Sequence, residues 1–260
     1  MLRPRIIPCL LIQDGGLVKT VKFKDPKYVG DPINAVKIFN EKEADELIVI
    51  DIDATVNGVE PNYLQIAKLA AECRMPLCYG GGVSTVDQAK RIIELGVEKV
   101  AFSSSALDNP KLIAEIAAEI GRQSVVVVLD HKKRLLSNIH DVWTHNGTRN
   151  TKRSVLDVAQ EVESFGAGEI VLNSIENDGR MKGYDIALSK KLRDSVCIPI
   201  TILGGAGSYE DMHALVQACG VVGVAAGSFF VFKGTYRAVL ISYPSARQKD
   251  DLIYSGLQNR

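Results

Sequence analysis

The sequence predicts an α/β chain folded as a single (β/α)₈ barrel over residues 1–260, with an internal half-barrel repeat and a variable tail at 244–260. Three observations predict it. Short β-rich apolar runs alternate with amphipathic stretches, the pattern of parallel βαβ units. Eight such units spaced by about 32 residues match a barrel of ordinary length. The chain also resembles itself at a shift of 124 residues, where Gly80, Gly81, Ser84, Asp87, Gly96 and Ser104 fall on Gly204, Gly205, Ser208, Asp211, Gly220 and Ser228. Glu46 in DELIVID matches Glu169 in GEIVLNS at a shift of 123.

In order, strands are expected at 5–12, 46–52, 76–81, 98–103, 124–130, 168–174, 198–204 and 221–226. Helices are expected at 32–44, 63–73, 86–95, 110–120, 155–165 and 185–192. An open doubly wound sheet would place GxGxxG after its first strand. That turn here reads DGGLVK, followed by a long polar stretch to Gly30.

Lysine plus arginine and aspartate plus glutamate both number 31, so no global field favours nucleic acid or an anionic membrane. Any anion must be held locally. The five cysteines (Cys9, Cys73, Cys78, Cys197, Cys219) form no CxxC pair, and reduced thiols in a cytoplasmic protein are favoured over disulfides. No metal or other cofactor is expected; the four histidines make no HExxH pattern. No apolar run reaches the roughly 18 residues of a membrane span. The opening MLRPRIIPCLLIQDGG turns polar too early for a signal peptide.

Gly80-Gly81-Gly82 ends the third expected strand and Gly204-Gly205-Ala206-Gly207 the seventh. Glycine admits close backbone approach, and amides at a helix start favour anions. Ser103-Ser104-Ser105 and Ala226-Gly227-Ser228 end the strands that follow and complete two candidate phosphate cradles. A single cluster reads equally as a tight turn. Two at matching places point to a ligand with a phosphate at each end.

Strand parity offers a second line of inference. Asp130 ends the fifth expected strand and should face inward at the mouth. Arg5, Glu46, Lys99 and Glu169 each begin a strand, at the opposite end. The inward positions between them are Ile7, Cys9, Ile48, Ile50, Ala101, Val126, Val128 and Val171, a mostly apolar lining.

The segments RIIPCLLIQDGGLVK, DELIVIDIDA, YGGGV, VEKVAFSSSAL, VVVVLD, GAGEIVLNSIENDGRMKGYD and GGAG resemble HisF, the cyclase (lyase) subunit of imidazole glycerol phosphate synthase in histidine biosynthesis, across about residues 1–240. The resemblance implies a HisH-like glutaminase partner, with ammonia entering at the barrel bottom and rising to a bis-phosphate substrate at the top. It identifies Arg5, Glu46, Lys99 and Glu169 with the family's charged ring at the floor, an ammonia gate, although a structural ion-pair plug or solvated strand ends are the alternatives. It also assigns Lys19, Gly81, Gly82, Ser103, Ser104, Asn173, Asp178, Gly179, Gly204, Gly205, Ala226, Gly227 and Ser228 to substrate or phosphate binding, with Lys19 on the family's mobile first loop.

One departure stands out. The family uses two aspartates as general acid and base; Asp130 matches the second, but Leu11 occupies the place of the first. Leucine cannot move a proton. Asp14 is expected to shape a turn, and Asp51 or Asp53 is a relocated carboxylate with little support. Resemblance therefore implies a divergent second-copy HisF, either a cyclase with retained or weakened activity or a reduced ammonia-conduit partner of a sugar amidotransferase in surface-polysaccharide (lipopolysaccharide, O-antigen) biosynthesis. A HisA-like isomerase would not need the charged floor.

Overall fold

The computed structural model describes residues 3–257; Met1, Leu2 and the last three residues of the expected 244–260 tail lie outside the described residues. Eight parallel strands close on themselves in chain order. They are Arg5–Gln13, Leu47–Asp51, Leu77–Gly80, Lys99–Phe102, Val125–Lys133, Glu169–Ser174, Ile200–Leu203 and Gly223–Ala226. The eighth returns to the first through Arg5↔Gly223, and the fifth joins the sixth through Val128↔Val171. The closed sheet is the expected (β/α)₈ barrel.

Eight helices wrap the barrel: Pro32–Glu41, Tyr63–Glu72, Val86–Glu94, Lys111–Ile120, Val155–Ser164, Ile186–Ser195, Tyr209–Cys219 and Ala246–Leu257. Six begin on a side-chain cap, from Asp31, Asn62, Thr85, Ser154, Asp185 and Ser208. Each such cap satisfies an orphan amide and is worth about 1 kcal/mol. Within the stretch expected as a variable tail, Ala246–Leu257 forms the eighth barrel helix. Its Lys249 donates to the Glu43 carbonyl and to Asp45, while Leu252 and Ile253 are buried. Just before it, the Tyr243 hydroxyl donates to the Ile6 carbonyl and accepts from the Asp45 amide.

The caps also refine the internal repeat. Thr85 with Gln88, and Ser208 with Asp211, form reciprocal capping boxes. Their shift is 123, so the turn after Gly81 carries one residue more than the turn after Gly205, and Thr85 rather than Ser84 is the counterpart of Ser208.

Two ribbons rise from the mouth where the sequence suggested loops. Gly16–Val21 and Lys24–Gly30 form an antiparallel pair in place of the long polar stretch. The fifth strand does not end at Asp130 but runs on to Lys133, pairs with His140–Thr144, and that strand pairs with Arg149–Ser154. Apolar side chains split into two clusters. One fills the space between sheet and helices. The other fills the bore: Ile7, Cys9, Ile48, Cys78, Ala101, Val126, Val171 and Ala225, with Leu11, Ile50, Val128 and Leu203 towards the mouth. Strand parity thus placed its eight inward residues correctly and left out Leu11, Cys78, Leu203 and Ala225.

Candidate active site at the barrel mouth

The barrel has a charged floor, an apolar bore and a polar mouth. At the floor, Arg5 bridges Glu46 and Glu169, the latter at 2.7 Å. Lys99 bridges the same two carboxylates, at 2.8 Å each. The four side chains alternate in sign and close a ring across the bore. Thr201 donates to Glu169 at 2.5 Å, in space left because a side chain at Gly223 would collide with its hydroxyl. Burial works against the charge of Glu169, but Lys99 and Arg5 outweigh it and hold the carboxyl down at about 2. Burial likewise opposes the cations, yet Glu169 and Glu46 keep both Arg5 and Lys99 above their usual values. Two positive and two negative charges compensate one another, which makes the burial tolerable.

Above the bore opens a cavity of about 440 Å³. Leu11, Asp51, Asp130, Asn173 and Asp178 all line it. Asp130 is half-buried, and desolvation pushes its carboxyl up to about 7 against the hydrogen bond from Asn173 at 2.8 Å. A carboxyl poised near neutrality suits proton transfer. Leu11 presents only hydrocarbon at the place the resemblance gave to a partner carboxylate. Asp178 is also raised by burial, but its carboxylate is engaged by the Thr20 hydroxyl at 2.7 Å and the Phe23 amide at 3.1 Å. Asp14 turns the chain in a left-handed conformation between Gln13 and Gly16, as a turn residue should. Asp53 accepts from Gln13 and is not among the lining residues, whereas Asp51 is.

Two rims flank these groups. One joins Gly81, Gly82, Ser103 and Ser104; the other joins Gly179, Gly204, Gly205, Ala226, Gly227 and Ser228, and all of them line the one cavity. Positive φ and crowding both demand glycine: a side chain on Gly81 would strike the Asp51 carbonyl, and one on Gly205 the Gly183 carbonyl. Lys19 stands in the first ribbon with its side chain buried beside Gly227, donating to the Cys9 carbonyl at 2.6 Å. Burial lowers its pKa. Lys22, Lys24 and Lys27 are exposed.

The sequence reading missed four groups at the mouth. Thr55 accepts from the Gly82 amide at 3.1 Å. Asn146 crosses from the second ribbon to the Ile52 carbonyl at 2.7 Å, and the neighbouring His145 lines the cavity. Arg237 donates to the Gly179 carbonyl at 2.7 Å. The Asn146-Gly147 pair is a hairpin signal that could have revealed the second ribbon. All five cysteines are free, and among the described residues no group of three or more histidine, cysteine or acidic side chains is placed to hold a metal ion. No described helix is long and apolar enough to cross a membrane.

Comparison with known proteins agrees with this architecture. A family model described as "Histidine biosynthesis protein" matches residues 5–237, from the first strand to Arg237. The chain belongs to the histidine biosynthesis protein family. Within it, a Leptospira borgpetersenii protein provisionally named imidazole glycerol phosphate synthase subunit HisF is 57% identical, covering 97% of this chain and 99% of the relative. A Vibrio vulnificus protein provisionally named subunit hisF3 is 57% identical, covering 96% of each. An Exiguobacterium sibiricum protein named imidazole glycerol phosphate synthase subunit HisF without qualification is 38% identical, over 88% of this chain and 91% of its own. The chain is therefore a divergent HisF-like member of the histidine biosynthesis family, more similar to the provisional and numbered copies than to the unqualified one.

Proposed function

We propose that this chain is the ammonia-handling barrel of a glutamine-dependent synthase. A HisH-like glutaminase docks at the floor and releases ammonia there. The charged ring admits it, the apolar bore conducts it, and a phosphorylated ligand meets it beside Asp130. The observation that carries this reading is the single line of features along the barrel axis: the closed Arg5–Glu46–Lys99–Glu169 ring, a bore lined by apolar side chains, and a cavity with a carboxyl poised near pH 7. Neutral ammonia crosses an apolar conduit at little cost, whereas a bare ammonium ion does not.

Names of the relatives favour imidazole glycerol phosphate synthase cyclase chemistry, with Asp130 as the acid–base group. Leu11 favours a second reading, in which the barrel hands ammonia to a sugar amidotransferase of surface-polysaccharide biosynthesis and its own cyclase activity is reduced. Supplying the purified chain with ammonium and the bis-phosphorylated ribulosyl aminoimidazole intermediate separates the two. Turnover at the rate of an unqualified HisF subunit supports the cyclase. A rate lower by a hundredfold or more, the typical cost of losing a general acid–base group, supports the conduit. Failure to co-purify with any HisH-like glutaminase encoded in the same genome would count against both.

A further inference from the structure

The second ribbon carries the chain past the rim of the barrel: Asp130 pairs with Trp143, and further out Lys133 pairs with His140. The turn beyond is firmly built. The Arg134 amide donates to the Ile139 carbonyl at 2.8 Å, the Ile139 amide donates to the Ser137 hydroxyl at 3.0 Å, and the Arg134 guanidinium is held on the buried Asp141 at 2.6 Å. This turn presents Leu135 and Leu136 to solvent, 86% and 100% exposed, with Ile139 exposed beside them. Left in water, these side chains forgo the stabilisation that burial brings. Leu136 carries a backbone cost as well, because its φ of 58° lies in the left-handed region that favours glycine or asparagine. Neither leucine serves the chain's own core. Their chemistry suits something apolar outside it.

Charge narrows the choice. The stretch 131–154 sets Lys132, Lys133, Arg134, Arg149, Lys152 and Arg153 against Asp141 alone. The first ribbon sets Lys22, Lys24 and Lys27 against Asp25. On the barrel helices exposed lysines find carboxylates, as Lys37 does Glu72 and Lys90 does Glu119. On the ribbons, Lys22, Lys24, Lys133 and Lys152 are exposed and make no ion pair among the described residues. Glu176, near the tip, accepts the Lys133 amide. The two ribbons share one field: burial lowers the Lys132 pKa, and Lys24 lowers it further. The chain's balanced total charge argues against an anionic membrane, but the imbalance is local to these ribbons. A convex turn with projecting leucines can enter the boundary between headgroups and acyl chains, while lysines beside it meet lipid phosphates. A second copy of the chain would instead set these cations against one another.

We propose that the tip of the second ribbon docks on an anionic lipid surface, with Leu135, Leu136 and Ile139 entering the interface and Lys133, Lys152 and the lysines of the first ribbon facing the headgroups. The contact turns the mouth towards the lipid and leaves the floor free. Lipid contact neither requires nor excludes ammonia transfer, and its test involves no ammonia.

The purified chain should be sedimented with vesicles of phosphatidylglycerol and phosphatidylethanolamine, and separately with neutral vesicles of phosphatidylcholine, at physiological salt. Wild type should bind the anionic vesicles at least about tenfold more tightly than the neutral ones, and salt near 1 M, where screening shortens to about 3 Å, should release it. Leu135→Ser/Leu136→Ser and Lys133→Glu/Lys152→Glu should each weaken binding by about tenfold or more. All four positions are exposed, so both variants should melt with the wild type. Leu136→Gly should melt no lower than wild type, since glycine relieves the left-handed turn, and yet bind the anionic vesicles more weakly. Wild type left in the supernatant, equal binding to neutral vesicles, or unchanged binding by either double variant would each overturn the proposal. A wild-type dimer that the leucine variant dissolves, with vesicles unbound, would assign the tip to a second copy instead.

Discussion

The floor and the mouth of the barrel both draw carboxyl groups away from water, and they treat them in opposite ways. At the floor, Glu169 faces Arg5, Lys99 and Thr201, and its carboxyl is held down at about 2. At the mouth, Asp130 faces one amide and a hydrocarbon-lined bore, and its carboxyl rises to about 7. The same residue chemistry thus yields a fixed charge at one end and a carboxyl poised near neutrality at the other. What separates them is the presence of compensating cations. A compensated ring is suited to blocking or admitting a small molecule, and an uncompensated carboxyl to acid–base work.

The largest expected effect that would break this contrast is at the mouth. Asp130→Asn should reduce ammonium-driven turnover by roughly a hundred- to ten-thousand-fold, in steady-state assays with saturating ligand. Its wild-type pH–rate profile should show an inflection near pH 7 that the variant lacks. Unchanged turnover would mean that Asp130 is not the proton carrier.

Next in size is the floor. Lys99→Ala leaves Glu46 and Glu169 sharing only Arg5, and removing one member of a largely buried ion-pair set typically costs about 3 kcal/mol or more. Chemical denaturation should show that loss, and a loss below about 1 kcal/mol, the range of exposed pairs, would reassign the ring to solvated strand ends.

The smallest effect sharpens the comparison through pH. Asp130 binds its proton more tightly folded than unfolded, so its contribution is full below about pH 4 and is lost as pH rises through 7. Glu169 binds its proton less tightly folded, so its contribution is full above about pH 4.5 and is lost as pH falls towards 2. Asp130→Asn should flatten the stability curve between pH 4 and 7, and Glu169→Gln should flatten it between 4.5 and 2. Each change should be on the order of 1–3 kcal/mol. Both variants flattening the same window would contradict the assignment.

Much of this was legible in the sequence because strand parity and charge are local signals. Arg5, Glu46, Lys99 and Glu169 could be placed at one end, and Ile7 to Val171 in the bore, by counting alternate residues. The ribbons were harder. The first turns at Lys22 and Phe23, both left-handed without the usual Asn-Gly pair, so nothing in the residues marks the bend. The closing helix, Ala246–Leu257, was obscured by its clustered charges, and one of them, Lys249, is buried against Asp45. Burial of Lys19 and capture of the Gly82 amide by Thr55 are contacts across distant segments, which no reading of spacing supplies. The two glycine clusters looked alike in sequence because backbone shape repeats between the half-barrels while the side chains around it do not.

The central claim is that the floor ring governs entry of ammonia and takes no part in the reaction at the mouth. The complex with a HisH-like glutaminase should be assayed twice, once with glutamine and once with saturating ammonium, for wild type and Lys99→Ala. The account predicts that ammonium-driven product formation stays within about twofold while the glutamine-driven rate changes by about tenfold or more, since free ammonia can reach the mouth from solvent and bypass the ring. An equal loss in both assays would contradict it.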